Sequence, residues 1–320
     1  MSRLDLGRIR AAVGSIDPVF LQSPQFEAPA LSDAVGCALT LKVETMNPVR
    51  SFKGRGTETV LARLTADGDP GSVVCASAGN LGQALAYSAG RRRIPATVFA
   101  AETANPLKIE RMRAFGAELH LEGDDIELPR RLAQAHAERT GAHLVEDSLD
   151  IGTCEGAATV ALELLDGPAP FDVVLVALGG GALASGVGHV VRELSPATEV
   201  VTVQPAGAPA MTLSWRQRSV VNTETIETIA DGVAGRFPIP EVLADLLDVV
   251  DDAVLVSEDG ITNGMRALYE LAGLVVEPSA ALGVAAILEE PDRFRGRQVA
   301  TIICGSNVDP SDFRSWVAPA

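Results

Sequence analysis

VVLVALGGGALASGVGHVV, residues 173–191, decides the fold. It contains no Asp, Glu, Lys or Arg and is long enough to cross a bilayer as a helix. Five glycines and His189 argue against a membrane span. A continuous Val/Leu/Ala run, three glycines, and then small and apolar residues at helical spacing instead describe a parallel strand buried on both faces, a tight turn and a packed helix. The stretch therefore predicts a strand at residues 172–177 and a helix at 183–194, with no membrane partner.

Working outward, the same strand, loop, helix theme recurs on both sides. Toward the N-terminus it predicts strands at residues 72–76, 96–100, 117–121 and 143–145. Helices fall between them at 81–89, 106–115 (Asn105 as cap, Gly116 as stop) and 126–139. A second series has helices at 156–165, 183–194, 208–215, 257–272 and 280–288, and strands at 172–177, 199–203 and 298–303. Two parallel α/β sheets flanked by helices follow. The expected division is a smaller α/β domain of residues 45–150 and a larger one of residues 1–44 plus 151–320. The arm through Leu41, with Pro18, Pro24 and Pro29, reads as irregular chain returning to the second domain. Ligands of open α/β sheets sit where loops leave the carboxyl ends of strands, so the active site is expected in the cleft between the two sheets.

Composition narrows the function. The chain has 320 residues and 33.3 kDa, enough to bury about three quarters of its unfolded surface without disulfide or metal. Lys plus Arg number 26 against 42 Asp plus Glu, a formal charge of −16, which excludes a phosphate backbone as a natural partner. The acidic pairs Asp124/Asp125 and Asp251/Asp252 lack the spacing of a calcium loop and read as surface. Cys37, Cys75, Cys154 and Cys304 are scattered, with no C-x-x-C pair, as expected of reduced thiols in a cytoplasmic protein. No apolar leader follows Arg3, Asp5, Arg8 and Arg10.

Four loops can carry chemistry: NPVRSFKGRG (residues 47–56), SAGN (77–80), LGGGALASG (178–186) and CGSN (304–307). The glycines at 179–181, between a strand and a helix start, present backbone N–H groups and a helix dipole to an anion, so a phosphate-binding loop is expected there. Gly179, Gly181 and Ala184 fit G-x-G-x-x-[G/A], which keeps an NAD-binding oxidoreductase open, although Gln204 stands where a ribose-binding acid belongs. CASAG also places Ser77 at a strand-to-helix turn like a hydrolase elbow, but Cys75 replaces its first glycine.

Together, LKVETMNPVRSFKGRG (41–56), SAGNLGQALA (77–86), NPLKIERMRAFGAEL (105–119), LGGGALASG (178–186), VVEPSAALGVAA (275–286) and CGSN (304–307) resemble the fold-type II pyridoxal phosphate enzymes, and within them the serine/threonine dehydratase (threonine ammonia-lyase) group. The resemblance implies a tryptophan synthase β-like fold of two parallel-sheet α/β domains. It implies pyridoxal 5'-phosphate as cofactor, Lys53 forming its Schiff base beside Phe52, and Asn80 on the ring hydroxyl. Gly179, Gly180, Gly181, Ala182 and Leu183 would hold the phosphate, and Cys304 would face the ring nitrogen. Ser77, Ala78, Gly79 and Asn80 would bind the substrate carboxylate. The implied reaction is β-elimination and deamination of a small serine- or threonine-type amino acid to a 2-oxo acid and ammonia, by a homodimer. β-Replacement on the same scaffold, or a silent binding protein, is the alternative.

Departures from the family pattern refine this. Leu81, Ala182 and Ala280 replace His, Gly and Gly. Ala78 stands where related serine racemases have a serine base, which predicts poor racemisation. Gln204 and Ala210 occupy the positions of the family's cation-binding carboxylates, so no metal is expected. Glu155 and Glu277 remain possible site acids; surface placement suits Glu155 equally, and Glu277 before Pro278 fits the family better. Only residues 308–320 follow the last loop, so no C-terminal regulatory extension is expected.

Overall fold

Val-rich runs become strands and glycine-ended amphipathic runs become helices in the computed structural model, which describes residues 3–69, 71–167 and 170–318. Its strands are β1 (Gln25–Glu27), β2 (Ala38–Val43), β3 (Val73–Ala76), β4 (Ala96–Ala100), β5 (Glu118–Leu121), β6 (His143–Leu144), β7 (Val173–Ala177), β8 (Glu199–Pro205), β9 (Asp252–Val256) and β10 (Gln298–Ile303). One sheet has the order β1-β2-β10-β7-β8-β9 and the other β5-β4-β3-β6. Every pairing is parallel except β1 with β2. The deciding stretch lies at the centre of the larger sheet, where Val173, Val174, Leu175 and Val176 are fully buried. Helices on both faces explain why no polar alternation interrupts it.

The N-terminal arm corrects the sequence reading. It is not irregular: a helix at Leu6–Val13, capped by Asp5, precedes β1, a helix at Pro29–Val35, and β2. β2 is an interior strand between β1 and β10. The prolines that suggested irregular chain sit at element starts, Pro29 in the first turn of its helix and Pro18 opening a 3-10 turn, where a missing N–H costs nothing. Between residues 216 and 256, where the sequence pattern predicts no element, the chain forms the Pro240–Val249 helix and β9.

Two features fix the helix that begins at Lys53. Lys53–Ala66 crosses the Ile151–Leu165 helix so closely that a Cβ on Gly156 would lie 2.3 Å from the Arg55 carbonyl oxygen. In addition, the Arg55 guanidinium is fully buried and divides itself between two carboxylates. It donates to Glu44 at 2.8 Å through Nε and Nη2, and to Glu163 at 2.7 and 2.9 Å through Nη1 and Nη2. Lys42 donates to the same Glu163 at 2.6 Å, giving two cations against two anions. Burial alone would raise the Glu163 carboxyl, but Arg55 and Lys42 overcome this and hold it down to about 2.

Candidate active site

The C-terminal ends of β3, β6, β7 and β10 open onto a cavity of about 770 Å³ between the sheets. Lys53 enters it from the first position of its helix. The preceding loop is pinned: Asn47 donates from Nδ2 to the Glu44 and Ser51 carbonyls, and the Phe52 N–H donates to the Cys304 carbonyl at 3.1 Å. Ser51 also bridges Gly305. Lys53 Nζ lies 4.7 Å from the Phe52 ring centroid and donates to both Asp147 oxygens, at 2.7 and 2.6 Å. An ammonium at the positive end of a helix dipole needs such a compensating charge.

On the opposite wall, Ser77 Oγ accepts the Gly79 N–H at 3.2 Å, and Asn80 opens the Asn80–Arg92 helix. No side chain caps that helix, so its first N–H groups remain available to an anion in the cavity. Asn80 is held from two sides. Its Nδ2 donates to Glu277 Oε1 at 2.8 Å, and its Oδ1 accepts from Asn307 Nδ2 at 2.8 Å. The Asn307 N–H donates to the other Glu277 oxygen at 3.0 Å. Cys304, at the end of β10, is buried, and burial together with Glu277 pushes its thiol up. Gly179, Gly180, Gly181, Ala182 and Leu183 form the floor between β7 and the Ala182–Leu194 helix. Gly181 has φ +106°, and a Cβ there would lie 2.4 Å from Val242 Cγ1, so glycine is required on both counts. The Ala182 N–H donates to Ser148 Oγ at 2.9 Å, and one turn further Ser185 Oγ is buried without a partner among the described residues.

The structure thus gathers Phe52, Lys53, Ser77, Ala78, Gly79, Asn80, the glycine loop, Glu277 and Cys304 around one cavity. Glu155 is elsewhere, which corrects both readings made for it. It is fully buried, not on the surface, and accepts the Asp5 N–H and Arg8 Nε while pairing with Arg63, away from the cavity lining. Gln204 is buried and accepts the Thr212 N–H at 2.9 Å, so its amide is committed to a helix start. Among the described residues no three His, Cys, Asp or Glu side chains converge as metal ligands.

Asp147 and the Lys108–Asp231 pair line the cavity although the sequence reading assigned none of them to the site. Asp147 follows β6, and Lys108 on the Pro106–Ala114 helix pairs across the cavity with Asp231. Asp147 was legible, because it leaves the carboxyl end of a parallel strand by the same rule that singled out the other loops.

Glu277 carries a pH prediction. Burial raises its carboxyl; Lys108 opposes this, Asp231 adds to it, and the Asn307 and Asn80 hydrogen bonds oppose it again, leaving it at about 7. A carboxyl raised on folding favours the folded state fully below pH about 4.5, and that contribution is lost as pH rises through about 7. Melting of the cofactor-free protein is expected to show this decline. Glu277→Gln should flatten it, at a cost of about 1–3 kcal/mol for the one mismatched hydrogen bond. An unchanged slope in the variant would assign the decline to another group.

Two facing parallel α/β sheets with a lysine, an uncapped helix start and a glycine cradle around one cleft define an α/β enzyme acting on small anionic molecules. The family described as "pyridoxal-phosphate dependent enzyme" matches residues 16–305, and the chain belongs to that family. It is 33% identical over 306 residues to the L-threonine ammonia-lyase of Thermotoga maritima, covering 96% of this chain and 76% of that protein. It is 30% identical over 316 residues to the L-threo-3-hydroxyaspartate ammonia-lyase of Saccharomyces cerevisiae, covering 98% and 96%. The solved maize serine racemase superimposes with a TM-score of 0.91 at 29% identity, covering 97% of this chain and 96% of that one. The fold is therefore the fold-type II arrangement, and the cofactor is pyridoxal phosphate. These relatives favour neither β-replacement nor a nicotinamide oxidoreductase. No helix among the described residues is long and apolar enough to cross a membrane.

Proposed function

We propose that this enzyme removes water and then ammonia from a small β-hydroxy amino acid of the serine or threonine type, releasing a 2-oxo acid. The convergence of Lys53, Asn80, the glycine loop and Cys304 on one cavity carries the reading. The residues fit the cofactor at both ends. A Cβ on Gly179, Gly180 or Gly181 would meet its neighbours at 3.0, 2.9 or 2.4 Å, so the loop keeps backbone exposed where a phosphate would lie, with the unpartnered Ser185 hydroxyl behind it. Pyridoxal phosphate, when bound, withdraws electrons from the Cα of an amino acid joined to it. Lys53 is the covalent anchor and takes the Cα proton. Asn80, locked by Glu277 and Asn307, would meet the ring hydroxyl. The Cys304 thiol, kept neutral by burial, would face the ring nitrogen without the charge of a carboxylate, which would favour prompt loss of a β-substituent. Ser77, Ala78, Gly79 and the following helix start bind the substrate carboxylate.

The division into residues 45–150 and residues 1–44 plus 151–320, a homodimer and a cytoplasmic setting belong to the same proposal. The four cysteines, all buried and unpaired, support a reducing compartment. Incubation of the holoenzyme with L-serine and L-threonine in heavy water tests the reaction. Oxo acid should form at least tenfold faster than D-enantiomer, since Ala78 offers no hydroxyl to protonate the second face of Cα, about 1.4 kcal/mol of discrimination or more. Faster racemisation, or no oxo acid from any β-hydroxy amino acid, would refute the reading.

A further inference from the structure

We propose that Asp147 is the proton donor to the departing β-oxygen and that Lys53 recharges it; this deepens the elimination reading and rests on it. Dehydration has a proton balance that one base alone does not close. The Cα–H pair becomes the new C=C bond and the proton goes to the Lys53 amine. The C–O pair leaves with oxygen, which must gain a proton to depart as water. Proton supply to such a group contributes about 10²–10⁴-fold. The structure joins the two ends of this transfer, since Lys53 Nζ touches both Asp147 oxygens, at 2.7 and 2.6 Å. The proton taken from Cα passes across that contact to Asp147 and on to the leaving oxygen, and the pair returns to its starting state.

Position supports the assignment. Asp147 faces the cavity over the glycine loop, where a Cβ on Gly180 would lie 3.4 Å from Oδ2. Its neighbour Ser148 is held at φ +68°, a conformation uncommon for residues other than glycine. Four contacts impose it: the Ser148 N–H donates to Thr153 Oγ1 at 3.0 Å, its carbonyl accepts from Arg3 Nη2 and Cys154 Sγ, and its hydroxyl accepts the Ala182 N–H. Strain held by several partners at a functional loop fixes where the adjacent side chain points. Glu127 and Glu146 also line this cavity, but the contact with Lys53 belongs to Asp147, and three further acids are engaged. Glu277 serves Asn80 and Asn307, Asp231 pairs with Lys108, and Asp125 pairs with Arg236.

The test compares leaving groups in the holoenzyme. Asp147→Asn should lose about 10²–10⁴-fold in kcat on L-serine and L-threonine. It should lose less than about tenfold on β-chloro-L-alanine, whose chloride departs without a proton. Asp147→Glu should recover part of the dehydration rate, and it carries the same comparison if the asparagine variant fails to fold. Pyridoxal phosphate affinity, read by visible absorbance, and borohydride trapping on Lys53 should stay close to wild type. Equal loss on all three substrates, or cofactor affinity weakened in parallel, would make Asp147 a structural or cofactor-holding residue and overturn the proposal. A wild-type protein that binds no pyridoxal phosphate would instead sink the elimination reading itself.

Discussion

Lys53→Ala is expected to yield a folded protein that forms no covalent adduct with pyridoxal phosphate and turns over at least 10²–10⁴-fold more slowly, from loss of the proton-transfer group alone. The fold should survive because the side chain reaches the cavity and its partner Asp147 retains access to water, at 30% exposure, so no fully buried charge is orphaned. Visible absorbance with added cofactor and peptide mapping after borohydride reduction check the result. The structure sharpens the second measurement, because Lys108 also lines the cavity. Lys108 is 5% exposed and bound to Asp231, whereas Lys53 stands between the glycine floor and the Asn80 wall. A wild-type adduct on Lys108 would overturn the assignment.

Arg55→Met is expected to have the largest effect on stability. Removing the guanidinium leaves Glu44 and Glu163 with Lys42 as their remaining cation, and Glu44 is fully buried. Breaking one side of a buried ion network costs about 3–5 kcal/mol, whereas replacing the whole network with apolar groups of similar size is often neutral. Melting should therefore fall by on the order of 10 °C, and adding Lys42→Met, Glu44→Leu and Glu163→Leu to Arg55→Met, which removes the whole network, should recover much of it. The pH profile gives an independent check. Glu163 is depressed on folding, so its contribution is present above pH about 4.5 and fades as pH falls toward about 2. In Arg55→Met that acid-side slope should shrink. A variant with wild-type melting would show that water reaches the two glutamates.

The contrast between Lys53 and Arg55 separates what is legible in a sequence from what is not. The fold class, β7 with its glycine loop, the β3 loop and the β10 loop were readable because each depends on local pattern: a buried run, a turn and a helix start within a few residues. The covalent lysine was readable from the resemblance its flanking residues carry. β2 was obscured by prolines whose meaning depends on which position of an element they occupy, and β9 by the unassigned stretch before it. Glu155 looked like a site acid, yet three cationic or N–H donors from the N-terminal arm and the Lys53–Ala66 helix enclose it elsewhere.

Asp147 is the reverse case: its place after a parallel strand was legible, but its contact with Lys53 joins residues 94 positions apart and is set by the fold alone. By itself the sequence determined which residues can form strands, turns and helix starts, since those preferences are set by neighbours within one turn or pleat. Only the tertiary structure decided which charges face one another, because electrostatic partnership depends on distance and burial in space, and the crossovers of a parallel sheet bring together residues that no local pattern relates.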